Sequence, residues 1–159
     1  MPQPVHYKFT QHFSKPARKA YEWCTNFTPE DQALMREENA TREVQQLTQN
    51  TVILTDKFHS EGKTTEKQKL ICLYPKRLMW TSTHLTGPAK HSQFIYEITS
   101  ETKTTSTLNF TALHIAHDLE EGNNKTETKR LAEKLRSEDS RTWKELANEM
   151  EEELGKDRP

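Results

Sequence analysis

Near the start of the chain Val5, Tyr7, Phe9 and Phe13 keep step with one another, with His6, Lys8 and Thr10 between them. That two-residue period belongs to a strand with one buried face, and it predicts the first strand over residues 5–13. Ser14-Lys15-Pro16 then supplies a capping residue and an early proline, and Ala17, Ala20, Tyr21, Trp23 and Cys24 fill a short helix. Thr28-Pro29-Glu30-Asp31 repeats the signal, with acids facing the positive end of the helix dipole, and leads into a second short helix through Ala33, Leu34 and Met35.

From about residue 40 to about residue 118 the period is two again. Segments 41–48, 51–59, 63–74, 77–85, 92–100 and 105–118 are rich in Thr, Val, Ile, Tyr and Phe, and Gln49-Asn50, Glu61-Gly62, Pro75-Lys76 and Gly87-Pro88 lie between the first five of them. Six strands with short joints predict an antiparallel meander. Leu78, Trp80, Ser82 and His84 share one face, as do Phe94, Tyr96 and Ile98, and then Leu108, Phe110, Ala112 and His114.

After Gly122 the period becomes helical. Asn124 with Glu127 resembles a capping box, and Leu131, Leu135, Trp143, Leu146, Met150 and Leu154 recur at intervals of three, four or eight. A continuous helix would be about 45 Å long at 1.5 Å per residue, with these residues on one stripe. Ser137-Glu138-Asp139-Ser140 is cap-like, so a break into helices at 124–136 and 138–154 is the alternative, and Gly155 is expected to end the segment.

Composition narrows the function classes. Lys plus Arg number 23 against 24 for Asp plus Glu, a net charge of −1 that gives no overall field for steering onto nucleic acid or an anionic membrane. The hydrophobic fraction is 31% and the charged fraction 30%, so a folded core must be thin and carried by the three Trp, four Tyr and six Phe. No apolar run approaches the roughly 18 residues of a membrane span, and no basic head followed by an apolar stretch opens the chain. A cytoplasmic protein without integral membrane association is expected, a monomer or weak dimer. Cys24 and Cys72 are then reduced core residues rather than a disulfide. The four Asn-X-Thr sequons are read as chance in a Thr-rich chain. The four glycines, at 62, 87, 122 and 155, are isolated, which excludes a P-loop or a dinucleotide-binding fingerprint.

The order strand, two short helices, six antiparallel strands and a long terminal helix has one economical packing. The sheet curls, the helix lies across its concave face, and curling leaves a cavity. This arrangement resembles the helix-grip fold of the START-like, or SRPBCC, superfamily, shared by the birch pollen allergen, lipid-transfer START domains and polyketide cyclases. Its carriers are the strand from Phe9 to Phe13 with Ser14 to Ala17, the helix pair from Ala20 to Asp31, and the Trp-bearing final helix from Trp143 through Leu146 to Met150. The stretch Tyr21-Glu22-Trp23-Cys24-Thr25-Asn26-Phe27 is similar to small prokaryotic, often archaeal, members. The resemblance implies one α+β domain over 1–159, with about seven strands. Members share no catalytic motif, so it carries over no catalytic residue. The allergen and plant-receptor relatives have a glycine-rich loop between early strands, which Asn50-Thr51 lacks, and this argues against a plant-hormone-like function.

In such a fold the ligand's surroundings would be set by Trp80, Phe94, Tyr96, Phe110, Trp143 and Met150, with solid aromatic packing as the competing reading. His84 and His114 share faces with Trp80 and Phe110 and join the candidate ligand-binding set as polar anchors, against a favoured reading of backbone satisfaction or strand-end exposure. His114-Ile115-Ala116-His117 is no metal pair, because an offset of three in a strand puts the rings on opposite faces; no metal and no cofactor are expected. Asp56 keeps parity with Val52, Leu54 and Phe58 and would then be an inward base with a raised pKa, but a parity shift that turns it to solvent is the preferred expectation. Arg130, Lys134, Lys144, Glu145 and Glu149 read as the exposed face of the last helix. The leading expectation is binding or carriage of a small hydrophobic molecule such as a lipid, isoprenoid or polycyclic compound. The alternatives are a cyclase- or hydratase-type enzyme using a cavity His or Asp, and a protein-interaction module of the Hsp90-activator kind.

Overall fold

Alternating apolar positions build seven strands and the helical stripes two helices, over residues 2–27, 40–117 and 125–155, which the computed structural model describes. In chain order these are β1 (Gln3–Phe13), α1 (Ala17–Thr25), β2 (Ala40–Thr48), β3 (Thr51–Ser60), β4 (Lys63–Tyr74), β5 (Met79–His84), β6 (Gln93–Ser100), β7 (Ser106–Ala116) and α2 (Lys125–Gly155). The second short helix expected from Thr28 onward lies outside the described residues. The strands form one antiparallel sheet in the order β1-β7-β6-β5-β4-β3-β2, so that apart from β1 beside β7 all neighbours are consecutive in the chain. This is the α+β helix-grip architecture expected from the hydrophobic pattern.

The joints follow turn chemistry. Ser60 pairs with Lys63 across Glu61 and Gly62, both at positive φ, the two-residue loop whose twist matches its strands. Pro75–Arg77 form one 3₁₀ turn closed by Leu78 in the left-handed region, which sets Trp80 back on the inward face of β5. α1 is fixed to the sheet by Ala20 and Tyr21, both buried, with the Tyr21 hydroxyl donating to the Met79 carbonyl at 3.0 Å.

α2 runs without a break for 31 residues. The cap-like Ser137–Ser140 run does not interrupt it, since such residues cost only a few tenths of a kcal/mol each within a helix whose stripe is anchored at both ends. Asp139 is hydrogen-bonded by Tyr7 of β1 instead of capping a new helix. Of the residues of α2 only Met150 is fully buried, within the core formed by Phe13, Tyr21, Leu54, Trp80 and Leu108. A long helix with one fully buried side chain rests against something other than a solid core.

Candidate functional site

Partners on adjacent strands point to the same side of a sheet, so the register sorts the chain into rows. Phe9, Phe110, Tyr96, Trp80 and Leu73 form one row across β1, β7, β6, β5 and β4. Tyr7, Ala112, Phe94, Ser82, Ile71 and Val52 form the next. One step further the row turns polar: His84 stands opposite Lys69, and Lys69 opposite Leu54. Beyond it Lys67, Asp56 and Arg42 are partnered across β4, β3 and β2.

Between these rows and α2 lies a cavity of about 420 Å³. Trp80, His84, Phe94, Tyr96, Phe110, His114 and Trp143 all line it, whereas Met150 is packed in the core and is not on its wall. The rings lean on one another. Trp80 stacks on Tyr96 with centroids 4.6 Å apart, Phe110 meets Tyr96 edge-on at 5.1 Å, and Trp143 from the helix lies 5.7 Å from Tyr96 and 6.3 Å from Trp80. Aromatic contact of this kind fixes ring positions and leaves a rigid apolar wall.

Two sets of polar groups interrupt that wall. On the sheet side Asp56 is 1% exposed, in step with Leu54, and not turned to solvent as expected. Arg42 donates to it through Nε at 2.7 Å and Nη2 at 3.0 Å, and Lys69 Nζ lies 3.4 Å away. Burial by itself would raise the Asp56 carboxyl, but the Arg42 hydrogen bonds and the charges of Lys69 and Arg42 outweigh it and hold the pKa below its ordinary value. The raised-pKa base expected for an inward Asp56 is therefore corrected: this carboxylate is ionised and committed to its cations. Burial lowers the Lys69 ammonium in spite of Asp56.

His84 Nδ1 is buried and has no hydrogen-bond partner among the described residues, contrary to the backbone satisfaction favoured for this ring. Burial, and then the charges of Lys69, Lys67 and His114, press its pKa down to about 4 against the opposing pull of Asp56, so the ring is neutral at pH 7. On the helix side the Tyr7 hydroxyl donates to Asp139 and Trp23 Nε1 donates to Glu153 at 3.2 Å. Burial raises the Asp139 carboxyl, and the Tyr7 hydrogen bond opposes the rise. Cys24 also lines the cavity as a free thiol, raised by burial. His117 contacts the Lys90 carbonyl at 2.7 Å and is not among the lining residues.

Arg42, Lys69, Tyr7 and Asp139 were not singled out by motif. A signal existed: Arg42 keeps parity with Val44, Asp56 with Leu54, and Lys69 with Ile71, so three neighbouring strands each place a charge in step with their apolar face.

Neither a family model nor a curated protein matches the sequence. Solved structures do match the fold. An aromatase/cyclase from a Streptomyces species is 14% identical, with a TM-score of 0.73 and 96% of each chain covered. Norcoclaurine synthase from Thalictrum flavum, solved with dopamine and hydroxybenzaldehyde, is 8% identical with a TM-score of 0.71, covering 99% of this chain and 90% of its own. A START superfamily protein from Mycobacterium smegmatis is 9% identical with a TM-score of 0.64, covering 92% and 99%. At these identities the likeness establishes the fold, that of START-like proteins.

Proposed function

We propose that this protein binds or carries a small hydrophobic molecule, with flat aromatic or polycyclic compounds as the best fit. The supporting observation is the 420 Å³ cavity walled by stacked rings of β5, β6 and β7 and covered by Trp143 of α2. Cavities of about 300–1,000 Å³ suit ligands of that size, and burial of apolar area at about 25 cal/mol per Å² supplies the affinity. The fold family is one whose members typically bind hydrophobic ligands. No helix among the described residues is long and apolar enough to cross a membrane.

Native mass spectrometry of the purified protein tests this reading. A co-purifying apolar molecule, or uptake of N-phenyl-1-naphthylamine at one per chain, is the expected result. A chain that is isolated bare and takes up no such probe would overturn it. One observation favours a second reading, a cyclase- or hydratase-type enzyme: His84, neutral at pH 7, stands on the cavity wall, where a ring nitrogen could accept a proton from an enolisable substrate. Turnover of any candidate substrate that survives His84→Phe would exclude that role.

A further inference from the structure

Among the described residues, the charged groups around the cavity are segregated by sign. Its acids, Asp139 and Glu153, belong to α2 and are already held by Tyr7 and Trp23. Its cations, Arg42 and Lys69, belong to β2 and β4. Tyr7 and Lys69 are four strand spacings apart in the sheet, about 19 Å measured along it. Within the cationic group two positive side chains share one carboxylate, and Arg42 takes both Asp56 oxygens at hydrogen-bonding distance. Lys69 reaches Asp56 only at 3.4 Å, so at most one of its three donors is used there. The third basic group of these rows, Lys67, sits over the Phe58 ring at 5.2 Å. Directly opposite Lys69 on β5 stands His84 with its buried, unpartnered Nδ1.

A buried polar atom without a partner and an ammonium with donors to spare, side by side on an apolar wall, are incomplete unless a ligand atom completes them. Resting on the carrier reading above, we infer that Lys69 and His84 form a subsite for an anionic oxygen, and that the ligand is an aromatic or polycyclic acid whose carboxylate, phenolate or enolate oxygen lies between them. The helix side repels that oxygen through Asp139 and Glu153, which fixes the orientation: charged end against β4 and β5, rings against Trp80, Tyr96 and Trp143. Lys69 donates a charge-assisted hydrogen bond to the oxygen, and the His84 ring, whose Nδ1 is closed off from solvent, turns on binding to present that nitrogen as Nδ1–H and donate a second.

Calorimetric titration with two isosteric probes, 2-naphthoate and 2-naphthamide, tests this at neutral pH and low salt. The acid is expected to bind about tenfold or more tighter than the amide. Lys69→Met should bring the acid down to the affinity of the amide while leaving the amide within about twofold, and His84→Leu should reduce the acid selectively to a smaller extent. Equal affinity of the two probes for the unaltered protein would overturn the subsite while leaving the aromatic cavity standing. A preference for the acid that persists in both variants would overturn the assignment to these residues. Binding of neither probe would instead sink the carrier reading itself. If one variant fails to fold, the comparison on the unaltered protein still decides whether the cavity prefers an anion, and the other variant decides the assignment.

Discussion

Replacing Asp56 by Asn removes the negative charge that Arg42 and Lys69 share while keeping the size of the side chain. Side-chain exposure is 7% at Arg42, 1% at Asp56 and 22% at Lys69, so water cannot replace what is lost at the first two. Breaking a buried pair from one side costs about 3–5 kcal/mol, chiefly because the remaining charge stays buried without its partner. Lys69 limits the loss. Burial already lowers its pKa and Asp56 opposes that, so in Asp56→Asn it sheds its proton more readily and one buried cation remains there instead of two. The lower part of the range, about 3 kcal/mol, is therefore expected at pH 7. For a domain of this size each kcal/mol moves the melting temperature by about 2–4 °C, which makes the shift about 6–12 °C.

Urea unfolding followed by circular dichroism gives the free energy, and Lys69→Met is the control. It leaves the Arg42–Asp56 pair in place and should cost about 1 kcal/mol or less. The pH dependence has a definite sign. Asp56 has a folded pKa below its ordinary value of 3.8, so its contribution is fully present above 3.8 and disappears as pH falls through the folded value. The deficit of Asp56→Asn should accordingly be constant from neutral pH down to that region and vanish below it. A cost under about 1 kcal/mol at pH 7, or an equal cost for Lys69→Met, would refute the assignment of Asp56 as the counter-charge of this cluster.

Two further outcomes follow from the same geometry. His84 is neutral in the folded protein down to about pH 4, whereas in the unfolded chain it takes up a proton near 6.5, so stability from this group is full above 6.5 and falls as pH drops toward 4, by up to about 3 kcal/mol; His84→Phe should flatten that part of the stability curve in equilibrium unfolding, and an unchanged slope would contradict the burial of the ring. Gly87, at φ +97°, would bring an added Cβ to 3.2 Å from Lys67 Cγ, whereas Gly62, at φ +79°, would meet nothing within 4 Å, so both alanine variants carry backbone strain of about 1–2 kcal/mol and thermal melting should show Gly87→Ala as the costlier by the displacement of Lys67.

The fold was legible because its elements announce themselves locally. The expected strand at 63–74 coincides with β4, and those at 41–48, 51–59 and 92–100 each start or end within one residue of the observed β2, β3 and β6, because alternation and turn residues are set by neighbours in sequence. The continuity of α2 was harder to read, since the Ser137–Ser140 run is neutral between a cap and a helix interior until Tyr7 engages Asp139 from another element. The aromatic wall follows from parity within single strands. The charged corner does not, because whether Arg42, Asp56 and Lys69 meet depends on the register between three strands, and an isolated Lys or Arg in a strand reads as solvent-facing. For Asp56 strand parity is a better guide than charge. Met150 shares the helical stripe of Trp143, yet its side chain is taken up by Phe13 and Leu108 in the core, while Leu146 and Glu153 on either side of it line the cavity.

All three tryptophans of this chain, Trp23, Trp80 and Trp143, stand on the wall of the same hollow, and none resides elsewhere. The protein's ultraviolet emission therefore comes from its interior with no background from distant indoles. Filling that interior must quench or shift the light from all three at once, so the molecule carries its own optical gauge of occupancy and needs no attached dye.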